Sequence, residues 1–192
     1  MNLAEILLPS AVVAFAGLGP GRLWSWLVAA AVAILLVAQP DASQATAFGG
    51  AWIAALLLSE LGRGFRWGGV AAAVVAIAAA WLRPDPLAPV PEVEGIFRLA
   101  WTLSPPAALL AAAVLGATVL TPVLVAREGE AVPRAAALAL IVYFLLSAVT
   151  PALGAFPVPL VGMGMSPILG FWLGAGLLGA LASVRRTSSP SP

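Results

Sequence analysis

Long apolar runs separated by short polar breaks dominate the chain. Seven such segments stand out, at about 6–18, 22–38, 47–62, 65–82, 105–126, 135–153 and 168–184. Their continuity, with no strict apolar–polar alternation over about 10 residues, predicts helices rather than the strands of a membrane barrel. A spanning helix takes roughly 20 residues, so the first and last segments are the shortest candidates. The third and fourth are joined by Gly62-Arg63-Gly64, which predicts a tight helical hairpin. The expected architecture is all-α: a polytopic transmembrane helix bundle of about 6–7 spanning helices with a Pro-rich outer loop. Residues 1–186 form one transmembrane domain, and 187–192, Thr-Ser-Ser-Pro-Ser-Pro, read as a disordered tail.

Composition agrees with this pattern. Hydrophobic residues are 62% of the 192 and charged residues only 9%, against roughly 25% charged in a soluble domain; mean hydropathy is +1.06. A water-soluble core of this size cannot bury so much apolar surface. The same figures exclude a disordered, nucleic-acid-binding or coiled-coil chain. His, Cys and Lys are each absent. This removes histidine bases, thiolate nucleophiles, thiolate or imidazole metal ligation, disulfides and Schiff-base chemistry. Any catalysis falls to Asp, Glu, Ser, Thr, Arg or Tyr143, the only tyrosine.

All nine basic residues are Arg, and alternation of the segments distributes them unevenly. Arg22, Arg63, Arg66, Arg127, Arg134, Arg185 and Arg186 fall on one side; Arg83 and Arg98 fall on the other. Basic residues near helix ends mark the cytoplasmic face. The Arg-rich side is therefore read as cytoplasmic, with the C-terminus inside. Loops 39–50, 83–104 and 154–167 then face outward in a multi-pass protein of the cytoplasmic (inner) membrane. Asp41, Asp85, Glu92 and Glu94 lie outside. Glu60, Glu128 and Glu130 lie inside, beside Arg63, Arg127 and Arg134, where surface ion pairing explains them. Trp52, Trp81 and Trp101 are placed at the outer interface, and Trp24, Trp26 and Trp67 at the inner one.

Two outer loops carry the candidate chemistry. Arg83-Pro-Asp-Pro-Leu-Ala-Pro-Val-Pro-Glu-Val-Glu-Gly95 has four prolines in 13 residues; proline fixes φ and stiffens a loop, so its acids are held in place near the surface. A rigid connector would show the same composition. Loop 154–167 is apolar and uncharged, which predicts a segment that re-enters the membrane or packs on the bundle. Gly170-x-x-x-Gly174 suits close helix packing.

Three stretches, taken in order, resemble the C-terminal half of the SEDS family (shape, elongation, division and sporulation), the FtsW- and RodA-like cell-wall polymerases. Val37-Ala-Gln39-Pro40-Asp41, followed by an Ala-rich helix and Arg63-Gly-Phe-Arg66-Trp67, is similar to the family's Gln-Pro-Asp element. Pro91-Glu92-Val-Glu94-Gly-Ile96-Phe97-Arg-Leu-Ala100 is similar to its outer-loop motif. Val149-Thr150 and Val158-Pro159-Leu-Val-Gly162-Met-Gly-Met-Ser-Pro167 resemble its Val-Thr-Gly and Leu-Pro run. Glu5 and Ser10 faintly echo its Pro-Ser-Glu element. The departures are specific. The family's His-Thr before the outer acid is missing, and Glu94 stands where the family has Asp. Ser43 and Gln44 replace the usual Gly and Thr, and Ile168-Leu-Gly-Phe-Trp172 replaces the Ser-Tyr-Gly-Gly-Ser run.

The resemblance implies polymerisation of glycan strands from a lipid-linked disaccharide (lipid II) at the outer membrane face, in partnership with a class B penicillin-binding protein or another membrane subunit and with membrane lipid. Glycosyl transfer needs a base for the attacking hydroxyl and stabilisation of the departing pyrophosphate. Glu94 is the candidate base and Glu92 the second. Asp41 would bind a divalent cation, the one cofactor implied, or orient the loop. Arg83 and Arg98, the two outer cations, are placed at the pyrophosphate from charge and side alone. A truncated, inactive relative serving as a subunit or regulator of a cell-wall complex, and an unrelated small transporter or structural subunit, are the alternatives.

Overall fold

The computed structural model describes residues 2–83, 90, 92–128, 130–162 and 164–188. Among these there is no strand. The helices are α1 (Leu3–Leu18), α2 (Leu23–Ala38), α3 (Ala42–Leu57), α4 (Arg63–Trp81), α5 (Ile96–Leu103), α6 (Pro105–Val119), α7 (Val123–Glu128), α8 (Ala131–Val149, prolonged by a 3-10 turn Thr150–Ala152) and α9 (Met165–Ser188). Three stretches are long and apolar enough to cross a membrane: Arg63–Trp81, Ala131–Ala152 and Met165–Val184. Helices α1, α2 and α6 are apolar but shorter.

The bundle is built around α8. Ala136, Ala137, Ala139, Leu140 and Tyr143 are buried, and α8 packs along α3, α1, α7 and α9. Helix α3 is the second central element, clasped by α8 and α4. Leu23, Ile34, Phe65, Val75, Leu109 and Leu110, from α2, α4 and α6, are all exposed. In water such a surface would drive aggregation; against lipid tails it costs nothing. The exterior is thus as apolar as the core, as a membrane requires.

Helices α1 and α9 run parallel. Gly170 lies against Glu5 and Ile6, Gly174 against Pro9, and Gly17 against Leu181. Pro9 stands inside α1 and has no N–H to offer the carbonyl of Glu5, four residues back. A Cβ on Gly170 would run into that carbonyl oxygen, and one on Gly174 would come 2.6 Å from Pro9 Cβ. The small-residue pair of α9 therefore seats the backbone of α1 at the point where Pro9 opens it.

The helical hairpin is present, with α3 ending at Leu57 and α4 starting at Arg63. Arg66 reaches back from α4, and its Nη2 donates to the carbonyl oxygens of Ser59 and Leu61, each at 3.0 Å. It thereby satisfies two carbonyls of the turn that joins the two helices. Four boundaries differ from the sequence expectation. Helix α3 starts at Ala42 rather than near 47, because the Asp41 carboxylate caps the backbone N–H of Gln44 at 3.0 Å. The outer loop expected over 39–50 is thus only a few residues long. Trp52 consequently sits mid-helix in the core, edge-on to both Phe15 and Trp26, and not at an interface. The expected segment 105–126 is broken between α6 and α7 at Leu120–Pro122, since Pro122 cannot donate. Helix α5 forms within 83–104, where the sequence predicts a loop. At the C-terminus, α9 continues to Ser188, into the expected tail; residues 189–192 lie outside the described residues, as do 84–89 with Asp85.

The α1–α9 contact gives a first prediction. Gly170→Ala should lower the thermal midpoint of the detergent-solubilised protein, at a cost of about 1–3 kcal/mol for overpacking against backbone. Gly176→Ala meets no neighbouring atom and should be neutral or stabilising by up to about 1 kcal/mol.

Candidate functional site

The N-terminal ends of α1, α3 and α9 meet the C-terminal end of α8, and polar side chains concentrate there. Asn2 donates from Nδ2 to Asp41 Oδ2 at 3.0 Å and from its backbone to Ser166 Oγ at 2.9 Å; its own Oδ1 caps α1 through Ala4 N. The Asp41 carboxylate thus joins α1 to α3 while capping the latter. One step deeper, the hydroxyls of Ser43 and Thr150 are bonded at 2.6 Å, tying α3 to the end of α8. Tyr143 Oη donates to Gln44 Oε1. Buried polar groups must be paired or they oppose folding, and these bonds cross between helices that otherwise touch through alanines and aliphatics.

Beside this network lies a cavity of about 20 Å³ lined by Glu5, Gln44, Tyr143 and Ser147, and roofed by Pro157, Pro159 and Leu160. Glu5 is only 7% exposed. Loop 154–162 is held down over the bundle by Val158 N donating to the carbonyl of Val93 at 3.3 Å and by Phe156 meeting Trp81 edge-on. The apolar loop packs on the bundle as its composition requires.

A second, open groove of about 640 Å³ lies between α5 and the segment after α8. Glu94, Arg98 and Thr102 line one side, and Pro151 to Ala155 the other. Glu94 immediately precedes the α5 cap Gly95, so it stands one helical turn before Arg98, where residues four apart share a face. The arrangement offers a carboxylate, a guanidinium and a hydroxyl on one wall. That set can accept a proton and hold an anion. Glu94 also accepts a hydrogen bond from the backbone N–H of Val90, which folds its own loop.

The structure therefore brings two of the five sequence candidates, Glu94 and Arg98, into one groove. Glu92 is exposed beside it, and Arg83 is exposed past the end of α4; neither lines the groove. Asp41 belongs to the helix-end network and not to this groove. Among the described residues no three His, Cys, Asp or Glu side chains converge as a metal centre; Asp41's partners include Asn2 and Gln44. Sequence reasoning missed Asn2 and Ser147 altogether and met Ser166 only within the Leu-Pro-like run. It met Glu5, Gln44 and Tyr143 only as a faint motif echo, a departure and a lone tyrosine.

The Ser43–Thr150 bond gives the second prediction. Thr150→Val should destabilise by about 1–3 kcal/mol, because Ser43 is left buried without its partner. Adding Ser43→Ala should recover part of the loss in a double-mutant cycle read by thermal unfolding. Comparison of the chain with family models, curated proteins and solved structures gives no match.

Proposed function

We propose that this chain is an SEDS-like, multi-pass protein of the cytoplasmic membrane that takes part in peptidoglycan synthesis and engages lipid-linked disaccharide at the outer face. The observation that carries this reading is the groove in which Glu94, Arg98 and Thr102 face residues 151–155. Its Glu94 and Arg98 come from the outer-loop stretch on which the family resemblance partly rests. In the proposed mechanism the Glu94 carboxylate takes the proton from the attacking sugar hydroxyl. The Arg98 guanidinium meets the departing pyrophosphate, whose oxygens its planar fork matches. Asp41 acts one step removed, by capping α3 and holding α1.

The full count of about seven spans belongs to this proposal. It takes α1, α2, α3 and α6 as crossing alongside α4, α8 and α9. At 15 or 16 residues and 1.5 Å rise each, these helices are roughly 22–24 Å long, and local bilayer thinning accommodates the mismatch. On this reading the Arg-rich side is cytoplasmic, with the Glu94 groove outside and the C-terminus inside. Helix α5, whose residues are all at least partly exposed, then lies along the outer interface. The absence of cysteine makes the orientation directly testable. Arg98→Cys should react with a membrane-impermeant maleimide on intact cells, and Arg63→Cys only after lysis.

Glu94→Gln tests the chemistry. The amide oxygen still accepts from Val90, so the loop is kept while the base is lost. Glycan ladders made from lipid II should fall by about 10²-fold or more with the protein still present in the membrane. The Val90 bond also favours a second reading, an inactive relative acting as a subunit, in which Glu94 serves only to fold its loop. Folded protein that makes no glycan in any condition, yet co-purifies with a class B penicillin-binding protein, would establish that reading instead.

A further inference from the structure

The Glu5 cavity is separate from the Glu94 groove, and no residue lines both. Its charge and its size point to a particular kind of occupant. Glu5 is 93% buried by its 7% exposure, lines the cavity, and makes no hydrogen bond to any described residue. Burying an ionised carboxylate without a partner is among the costliest arrangements in a protein. The groups packed around it do not supply the missing charge. From α3 come Gln44 and, nearby, the second carboxylate, Asp41; from α8 come Tyr143 and Ser147; from the loop and α9 come prolines, Leu160 and Phe171. None of these is cationic; the positive charge that does act on Glu5, that of the amino terminus, is outweighed by the opposing carboxylate of Asp41. The first turn of α1 places helix N–H groups near Glu5, which helps an anion, but those groups are not charges.

The volume limits what can enter. About 20 Å³ admits one water-sized particle and excludes a sugar, a phosphate or an acyl chain. The walls offer one carboxylate, an amide, a phenol and a hydroxyl, with Pro9, Val119 and Phe144 closing the remainder. Hard cations take oxygen ligands of this kind, and divalent sites draw on several carboxylates. Here a single carboxylate lines the space, which suits a single positive charge.

We propose that Glu5, with Gln44, Tyr143 and Ser147, forms a binding site for one monovalent cation, a sodium ion or a hydrated proton, beneath the 157–160 loop. Occupation neutralises Glu5 and fastens the roof formed by Pro157, Pro159 and Leu160 to α1, α3 and α8. Nothing in this site depends on the glycan reading.

The test uses the purified full chain in detergent, melted at constant ionic strength in sodium, potassium or choline chloride at pH 8, and again in choline chloride at pH 6. Wild type should gain roughly 2–4 °C in sodium over choline, while Glu5→Gln should melt alike in all three salts. If wild type ignores sodium but gains a similar amount from pH 8 to pH 6, and Glu5→Gln does not, the occupant is the proton and the site stands. Wild type indifferent to both ions, or Glu5→Gln responding as wild type does, overturns it. Should Glu5→Gln not fold, Tyr143→Phe takes its place: it strips one oxygen from the wall, and an unchanged response to both ions would overturn the site equally.

Discussion

The fold rests on the pairing of buried polar groups between helices whose outsides are as apolar as their insides. In such a molecule the hydrophobic effect does little to choose one helix packing over another, because lipid tails solvate Leu as well as a neighbouring helix does. Specificity then falls to close backbone approach and to a few interhelical hydrogen bonds. Both are concentrated here. The Gly170 and Gly174 contacts fix α1 on α9; the bonds from Asn2 to Asp41, Ser43 to Thr150 and Tyr143 to Gln44 fix α1, α3 and α8 at one end. At the other end Arg66 alone ties the α3–α4 hairpin to its own turn. Helix α2 makes no interhelical side-chain hydrogen bond among those described and touches α3 and α4 through Trp26 and alanines. Its position is correspondingly less determined.

This division also shows how far the sequence could be read. Apolar runs betray helices because every backbone group in lipid must be bonded within its own segment; hence α1, α2, α4, α8 and α9 were found within a few residues of their ends. The α3 start was missed because Asp41 was read as loop chemistry when it is a cap, and Ala42 to Ala47 are too small and mixed to register as a run. Helix α5 escaped for a different reason. It is short, follows a proline stretch, and carries its apolar residues on one face. The resemblance points to Glu94, and charge and side point to Arg98; that the two share one groove is what the structure adds. The polar network was not legible, since it joins residues up to 164 positions apart, and nothing local in Asn2 or Ser166 announces a partner.

Glu5 illustrates the limit most sharply. Along the sequence it is an acid near the start of an apolar segment, the usual place for an exposed charge. Pro9 and Gly170 change that. By letting α9 come up against the backbone of α1, they bring Phe171 and Pro167 over the Glu5 side chain, and loop 157–160 closes the space from above. Burial of the carboxylate is thus a consequence of the helix contact and not of its own sequence surroundings.

The same loop links the two sites. Residues 151–155 form one wall of the Glu94 groove, and residues 157, 159 and 160 roof the Glu5 cavity. Leu160 holds a left-handed backbone conformation with φ of 64°, which costs a bulky residue about 1–3 kcal/mol and persists only where the surroundings enforce it. Those surroundings are the cavity wall beneath and the Val93 carbonyl that holds Val158, and Val93 is the residue before Glu94. The roof of the Glu5 cavity and the wall of the Glu94 groove are thus consecutive parts of one segment, tied to the outer loop by that hydrogen bond. The strain at Leu160 gives that segment a reason to relax if its support weakens.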